Sequence, residues 1–541
     1  MNMKIIKIAL FCSALFLKCE LLNAQWQWAN AITSLNDAAS GIHVMADGTS
    51  YVYGAFSMSC NFPSDTIWSN GVNDLFLAKY DVNGNILWHK QFGGNNFSGP
   101  DERTAAMRID EVNNVIYLSG TFFGSLIIGN DTVNSSTGID PFLAKLDTSG
   151  NGIWVISASC PFSDFDSSNE VCLDNSGNIY WTGILGSNGT LDTTTLSKGT
   201  FLTKVDYSGN VLWAKNEFNG AYPIGYRFQN NNIYFSCVTT NDTVVVDTLT
   251  FVSNDADNVL IGKMDNKGKI IWVKKFGGTM ADYAISMDIT PNSNIYISGY
   301  FLSDTMFVQN DTLINPTNRE GYLAKFDGNG TLLWIKQTFS SGINGGWGKG
   351  IVSDQEDVYW IGSFSGNASF GSYSPTANTD LDAFITKYDS SGSCLLFENF
   401  GKVLAGVIKL DASKNIYHTG IFYNSLTLGS STLTSIGPTD FYFAKRNSIT
   451  DIEEWGSRGS ENSLTIYANP NNGSFNIKLP VGLKSIEEGI LYIYDNSGKE
   501  ITKFNLTDST MRFTIKDAIS GMYNLKLVSG NKAYFGKLIV N

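Results

Sequence analysis

One stretch of the 541-residue chain, Phe76-Leu-Ala-Lys-Tyr-Asp-Val-Asn-Gly-Asn-Ile-Leu-Trp-His-Lys-Gln-Phe92, returns in recognisable copies along most of its length. That recurrence limits the available folds more than any other feature. The copies are marked by Lys79, Lys145, Lys204, Lys263, Lys325, Lys387 and Lys445, which by subtraction stand 66, 59, 59, 62, 62 and 58 residues apart. A period this long, made of short alternating apolar runs and turn residues, predicts a closed all-β array and not a helical solenoid.

Each copy holds four strand-like runs. In the second copy they are Ala105 to Asp110, Val115 to Phe122, Phe142 to Asp147 and Gly152 to Ala158. Within the third run Phe142, Ala144 and Leu146 fall on one face and Leu143, Lys145 and Asp147 on the other, as a period of two requires. Both faces begin apolar, which suits a sheet packed between neighbouring sheets.

The second run carries an aromatic followed three residues later by glycine: Tyr51/Gly54, Tyr117/Gly120, Tyr180/Gly183, Tyr296/Gly299, Tyr359/Gly362 and Tyr417/Gly420, with Tyr234/Cys237 as the departure. Glycine at one structural position in six copies predicts crowding near a central axis. Cys237 reads as a small packing residue.

The fourth run carries Trp88, Trp154, Trp213, Trp272 and Trp334, with Phe397 in the sixth copy. The seventh copy has none, because Lys445-Arg-Asn447 passes into a polar stretch. Trp26-Gln-Trp28-Ala-Asn-Ala-Ile32 aligns with Leu87 to Phe92 and supplies the missing strand. The expectation is a seven-bladed β-propeller of four-stranded blades over residues 25–447, closed by its N-terminal strand. Closure removes the edges that an open sheet would expose.

The markers FLAKYDVNGNILWHKQFGG and NVIYLSGTF resemble the SBBP-type bacterial β-propeller repeats found in large secreted proteins. The resemblance covers nearly the whole repeat body and implies a fold, with little about a ligand.

Hydrophobic residues at 43% and aromatics at 13% supply a sizeable core, while charged residues at 16% fit an extracellular β protein. The 37 basic and 50 acidic residues leave a net charge of −13, which opposes nucleic acid as a partner. Residues 1–24 read as a signal peptide: Lys4 and Lys7, an apolar run from Ile8 to Leu17, and Ala24 at the cut. That run is too short to span a bilayer, and no transmembrane segment is expected in the mature chain. The five cysteines beyond it, Cys60, Cys160, Cys172, Cys237 and Cys394, are no disulfide framework. Only Cys160 and Cys172 stand close enough in sequence to suggest a bridge.

Residues 448–463 are polar and read as a linker. Residues 464–541 form a separate short β unit, expected to be a small immunoglobulin-like β-sandwich. Its motifs are Asn469-Pro470 with Gly473, then Asp495 with Gly498, then Gly521 with Tyr523, and the ending Lys537-Leu-Ile-Val-Asn541. These resemble the type A C-terminal sorting domain of the type IX secretion system of Bacteroidetes, although Ala468 stands where the family opens with proline. The resemblance implies the type IX secretion machinery as a partner. It also implies a secreted or outer-membrane-surface location after removal of the signal peptide and of the C-terminal domain.

No nucleophile elbow, zinc-protease motif or phosphate loop occurs, and no cofactor, metal or catalytic residue is predicted. His43, His89 and His418 fall at non-equivalent positions inside strand runs. The Asp-x-x-Gly-Asn turns, such as Asp81/Gly84/Asn85, read as hairpin chemistry. The recurring Lys and Asp two apart, such as Lys79 and Asp81, share a strand face on which they could pair, and their recurrence in most copies points to a scaffold role. The short turns lie at one end of each blade, so the long connections share the other end. There the repeat breaks, and Phe97, Asp101, Arg103, Phe162, Asp164, Phe165, Tyr222 and Trp347 are the candidate ligand-binding residues. The function expected is non-catalytic binding or adhesion to an extracellular glycan or protein. The alternatives are a polysaccharide hydrolase or lyase at the same end, and a structural surface protein without a specific ligand.

Overall fold

The computed structural model describes residues 26–34, 37–62, 65–93, 103–161, 166–216, 218–239, 243–246, 249–252, 256–437, 439–448, 464–467, 473–478, 489–494, 500–506, 510–516, 518, 521–529 and 532–540. The expected signal peptide and nearly all of the expected linker lie outside them. Every regular element among the described residues is a β-strand. The chain divides into two compact units, Met1–Asn447 and Ser448–Asn541.

In the first unit each sequence repeat builds an antiparallel sheet whose strands pair in chain order. The third repeat is typical: Ser167–Leu173 pairs with Ile179–Leu185, that strand with Gly199–Val205, and that with Val211–Asn216. The last repeat contributes Val403–Leu410, Ile416–Phe422 and Asp440–Arg446, and its fourth strand is Trp26–Ser34 from the other end of the chain. The register places Trp28 opposite Lys445 and Ala31 opposite Tyr442.

The first strands of successive repeats lie against one another. Asp37–Val44 packs on Arg103–Asp110, and so on through Ser167–Leu173, Ala221–Gln229, Asp282–Ile289 and Gly346–Asp354 to Val403–Leu410, which packs back on Asp37–Val44. The arrangement is that of a propeller-like body.

Two contacts lock each sheet to the next. Glycine in the turn between third and fourth strands has positive φ, +81° at Gly84 and +79° at Gly150. It lies under the tryptophan of the preceding sheet, so that a Cβ at Gly84 would stand 2.5 Å from the Trp28 ring and one at Gly150 would stand 3.0 Å from Trp88. The Trp28 indole also donates to the Val82 carbonyl at 3.0 Å, as Trp154 does to Tyr207 and Trp334 to Ser390. The N-terminal strand therefore joins the last sheet by its backbone, and the first by its indole and by a short pairing of Thr33 and Ser34 with Asn61 and Cys60.

Three expectations are corrected. The glycines of the second strands are not crowded at the axis. A Cβ at Gly299 would meet the Tyr283 carbonyl at 1.9 Å, and one at Gly362 the Trp347 carbonyl at 2.1 Å with the Phe384 ring beyond. The first strand of the same sheet is bulged there, with register shifts at Ala284/Ser286 and Gly348/Ile351, and the bulge drives a carbonyl into the space a side chain would need. Cys237 stands opposite Pro223 at the corresponding bulge.

The connections between second and third strands are not plain loops either. They fold into hairpins, such as Thr305–Val308 with Asp311–Ile314 and Ser425–Leu428 with Ser431–Thr434, whose Met306, Val308, Leu426 and Leu428 are buried. Each arm has four residues, too few for the alternation to stand out in the sequence. In the second repeat the arms merge with the main strands, giving Val115–Ile128 and Asp131–Asp147.

The ion pairs of three marker lysines run to carboxylates other than the aspartate two residues on. Lys204 reaches Asp174 at 3.0 Å, Lys325 reaches Glu356 at 3.1 Å and Lys387 reaches Asp357 at 3.2 Å. The turn aspartates are engaged by their own turns: Asp81 accepts from the Asn83 and Asn85 amides at 2.9 and 2.8 Å.

Cys160 and Cys172 are buried and not bridged to one another; the Cys160 thiol donates to the Ser187 carbonyl at 3.1 Å, and burial pushes the Cys172 thiol up to about 12.

In the second unit, Thr465–Tyr467, Ser474–Lys478 and Thr510–Thr514 form a three-stranded sheet, while Glu500–Leu506, Gly489–Tyr494, Gly521–Ser529 and Lys532–Val540 form a four-stranded one. Phe475, Ile477 and Phe513 of the first share one apolar core with Leu491, Leu525 and Leu538 of the second.

Candidate functional site

At the short-turn end of the propeller-like body, all seven marker lysines stand over the tyrosine of the strand beside them. The ammonium-to-ring distances run from 4.8 Å for Lys204 over Tyr180 to 5.8 Å for Lys145 over Tyr117. Lysine and tyrosine are cross-strand partners in each case, as Tyr296 and Lys325 are, so strand register alone creates the contact. Several of these tyrosines donate onward to the next sheet, Tyr51 to the Thr148 carbonyl and Tyr417 to that of Gly48. An arrangement repeated in every sheet is framework.

Along the axis runs a cavity of about 350 Å³. It is lined by Arg108, Glu170, Arg227, Lys349 and Lys409 among others. Glu170 bridges Arg108 at 2.6 Å and Arg227 at 3.3 Å, and Arg227 reaches Asp288 at 3.5 Å. Lys409 makes no ion pair or hydrogen bond among the described residues, and desolvation, aided by Arg108 and Arg227, lowers its ammonium to about 8. The charges come from six different first strands, so this network also ties sheets together.

The long-connection end is different. Trp347 opens the strand Gly346–Asp354, and its ring carries the Arg319 guanidinium at 3.8 Å and the Lys349 ammonium at 4.6 Å. Tyr300 lies 5.1 Å from Trp347, and Tyr283 lies 5.0 Å from Tyr300. The Arg319 carbonyl accepts from the Gly346 amide at 3.0 Å, which holds the backbone while the guanidinium lies on the indole. Beside this stack opens a pocket of about 270 Å³, lined by Arg319, Asn344, Trp347, Asp380, Lys402 and Tyr423 among others. Lys402 and Asp380 form an exposed pair at 3.3 Å.

Buried carboxylates shape the same end. Asp74, Asp140, Glu320, Asp382 and Asp440 each stand five residues before a marker lysine and are fully buried. They accept from the backbone of adjoining connections: Glu320 from the Ser340 amide at 2.8 Å, Asp382 from Asn378 at 2.8 Å, Asp440 from Ile436 at 2.7 Å. Burial raises Asp74 and drives Glu320 up to about 7, against hydrogen bonds from Thr338 and Ser340. These groups hold the loops in place.

Of the residues expected to bind a ligand, Phe97, Asp101, Phe162, Asp164 and Phe165 lie outside the described residues. Arg103, Tyr222 and Trp347 occupy one structural place in three different sheets, each opposite the residue that follows the marker glycine or Cys237. Tyr222 is 39% exposed. Trp347 was expected as an exposed loop aromatic, and it is instead half-buried in a strand, stacked between cations. Sequence reasoning missed Tyr283, which has the same place in a fourth sheet, together with Tyr300 and Arg319. The signal for Arg319 is scarcity: the repeat body has five arginines, Arg103, Arg108, Arg227, Arg319 and Arg446, none at a repeat marker.

Of the sorting motifs, Asn469, Pro470, Asp495 and Gly498 lie outside the described residues. Gly473 has φ +94° and accepts from the Ile515 amide at 2.9 Å. Gly521 and Lys537 lie in the last two strands, and Tyr523 is buried in the core. Among the described residues no group of three or more His, Cys, Asp or Glu side chains is placed to hold a metal, and no helix is long and apolar enough to cross a membrane.

Strand order and tail define a class: an all-β, propeller-like repeat body followed by a small β unit for export. Residues 465–541 match the family described as the secretion system C-terminal sorting domain, which indicates export by type IX secretion to the cell surface or outside. An uncharacterized WD repeat-containing protein of Acanthamoeba polyphaga mimivirus is 22% identical over 70% of this chain, and the match spans 34% of that protein's length. Among solved structures, the Dos1 propeller matches 77% of this chain and 82% of its own, with 10% identity and a TM-score of 0.39. PorZ, a surface component of the type IX secretion system of Porphyromonas gingivalis, matches 95% of this chain and 100% of its own, with 11% identity and a TM-score of 0.17.

Proposed function

We propose that the protein is a secreted or surface-held binding propeller: a seven-bladed body of SBBP-type repeats, residues 25–447, that engages an extracellular glycan or protein without chemical turnover. In this reading a signal peptide at residues 1–24 takes the chain to the periplasm. The β-sandwich at residues 464–541 then directs passage through the outer membrane and is removed.

The observation that carries the binding assignment is the pocket beside Trp347. It lies at the end where the connections differ from sheet to sheet, the place of Trp347 being taken by Arg103, Tyr222 and Tyr283 in three other sheets, and its Arg319 stands at no repeat marker. Recognition by a rigid scaffold puts its specific residues in such connections. The buried carboxylates beneath this end are engaged by backbone amides, which favours binding over hydrolysis. The test is a glycan and protein array probed with the secreted protein and with Trp347→Ala. A saturable ligand lost in the variant is the expected result. Turnover of a polysaccharide, abolished by substitution of one carboxylate at this end, would sink the reading.

A further inference from the structure

We propose that the Arg319 pocket takes the carboxylate or sulfate of an acidic saccharide, so that the ligand of the long-connection end is a negatively charged extracellular glycan. The inference rests on the binding reading above and narrows it.

Arg319 is a cation without an anion. Among the described residues its Nε and Nη1, both buried, have no hydrogen-bond partner, and no described carboxylate forms an ion pair with it. Leaving such donors unmet is costly, and a guanidinium is the side chain whose planar fork fits a carboxylate or sulfate. Burial lowers the Arg319 pKa, as expected of a desolvated cation not offset by a counter-charge.

The surroundings are set for an incoming anion. Arg319 and Lys402 are the cations that line the pocket and Asp380 is its acidic side chain, so that with Asp380 paired to Lys402 at 3.3 Å the Arg319 charge is left over. The pocket is therefore locally positive in a chain whose net charge is −13. The glutamate next in sequence does not neutralise Arg319, because Glu320 turns inward to Thr338 and Ser340. The arginine is also held ready: its carbonyl is clamped by the Gly346 amide and its guanidinium rests on Trp347, so little rotamer freedom is lost on binding.

A saccharide suits the remaining walls. At about 270 Å³ the pocket is smaller than those that enclose a drug-sized ligand, and it is lined by flat aromatics with Asn344 and Asp380 as polar groups. One sugar ring can lie on Tyr423 while its acidic substituent meets Arg319, whose guanidinium rests on Trp347.

The full-length secreted protein is titrated calorimetrically with oligogalacturonate, with a sulfated galactan oligosaccharide and with a neutral galactan of matched length. At least one acidic saccharide is expected to bind saturably and more weakly as salt is added, with the neutral one weaker by roughly tenfold or more. Arg319→Met is expected to lose a similar factor, and Arg319→Lys, which keeps the charge without the fork, to recover part of it. The carboxylate and sulfate arms identify the anion. Equal binding of neutral and acidic saccharides, or full binding by Arg319→Met, overturns the inference. If a neutral ligand is then lost in Trp347→Ala, the binding reading stands without the anion. Arg319-dependent binding of an acidic peptide, with no acidic saccharide bound, overturns the saccharide assignment.

Discussion

The two ends of the repeat body are built from the same strands and obey different rules. At the short-turn end each sheet repeats one set of contacts: lysine over tyrosine, tryptophan over the next sheet's glycine, aspartate in its own turn. At the long-connection end the backbone is anchored by a recurring buried carboxylate, while the side chains above it follow no repeat, Arg103, Tyr222, Tyr283 and Trp347 sharing one place. Periodic contacts join neighbouring sheets, and the aperiodic ones are free to recognise something.

The sharpest way to break this comparison is to remove a periodic contact at the closure. Deleting Trp26–Ser34 leaves Asp440–Arg446 without its outer neighbour and Gly84 without its indole. Cooperative unfolding is expected to be lost, as read by calorimetry and near-ultraviolet circular dichroism. Gly84→Ala is a milder form of the same test. Its φ of +81° disfavours a side chain, and the new Cβ would stand 2.5 Å from the Trp28 ring. A loss of roughly 2–4 kcal/mol in chemical denaturation is expected. By contrast Trp347→Ala, at the other end, is expected to cost less than about 1.5 kcal/mol while abolishing binding. A Trp347→Ala variant as unstable as Gly84→Ala would mean that both ends are framework.

The two ends should also respond to pH in opposite directions. The carboxyls of Asp81 and Asp206 are held below the ordinary value, chiefly by Asn85 and Asn210, so their contribution is present above the unfolded pKa and lost as acid protonates them. Glu320 lies on the other side: burial drives it from 4.5 up to about 7. Its protonated form suits the fold, so the contribution is full below pH 4.5 and is lost as pH rises through about 7. Glu320→Gln should therefore remove a decline in stability between those two values, on the order of 2–3 kcal/mol in total, measured by denaturation at stepped pH. An unchanged pH slope in the variant would show that Glu320 is ionised throughout.

What was legible in the sequence follows the same division. The marker lysines, the tyrosine-glycine pairs and the borrowed Trp26 to Ile32 strand could be read because strand pairing forces them to recur, and recurrence is visible in a single chain. Their partners could not be read. Lys79 and Asp81 share a face by period, yet the turn backbone binds the aspartate and Tyr51 lies beneath the lysine at 5.0 Å. The hairpins such as Thr305–Val308 with Asp311–Ile314 were hidden because the first arm offers only two inward side chains, Met306 and Val308, and the second only Leu313. Trp347 could be singled out by breaking the pattern, but Arg319 could not. It reaches the indole across the boundary between two repeats, and no periodicity connects residues 28 positions apart.

The axial network gives the smallest expected effect and the finest test, because it is neither repeated nor at a mouth. Glu170 and Asp288 hold Arg108 and Arg227 between them, and Lys409 is left beside two guanidiniums without an anion of its own. Its ammonium is lowered from 10.5 to about 8, so the folded protein binds fewer protons than the unfolded chain between those values. Stability then rises with pH across that window, and at pH 7 the charged lysine is a net cost. The axial cavity admits water to part of the side chain, which screens the repulsion, so the cost is reduced to about 1 kcal/mol. Lys409→Met should therefore stabilise the protein by about that amount at pH 7, raise its melting temperature slightly, and abolish the rise between pH 8 and 10.5. A destabilised variant would place an anion against Lys409 in solution and move the axial cavity from framework to binding site.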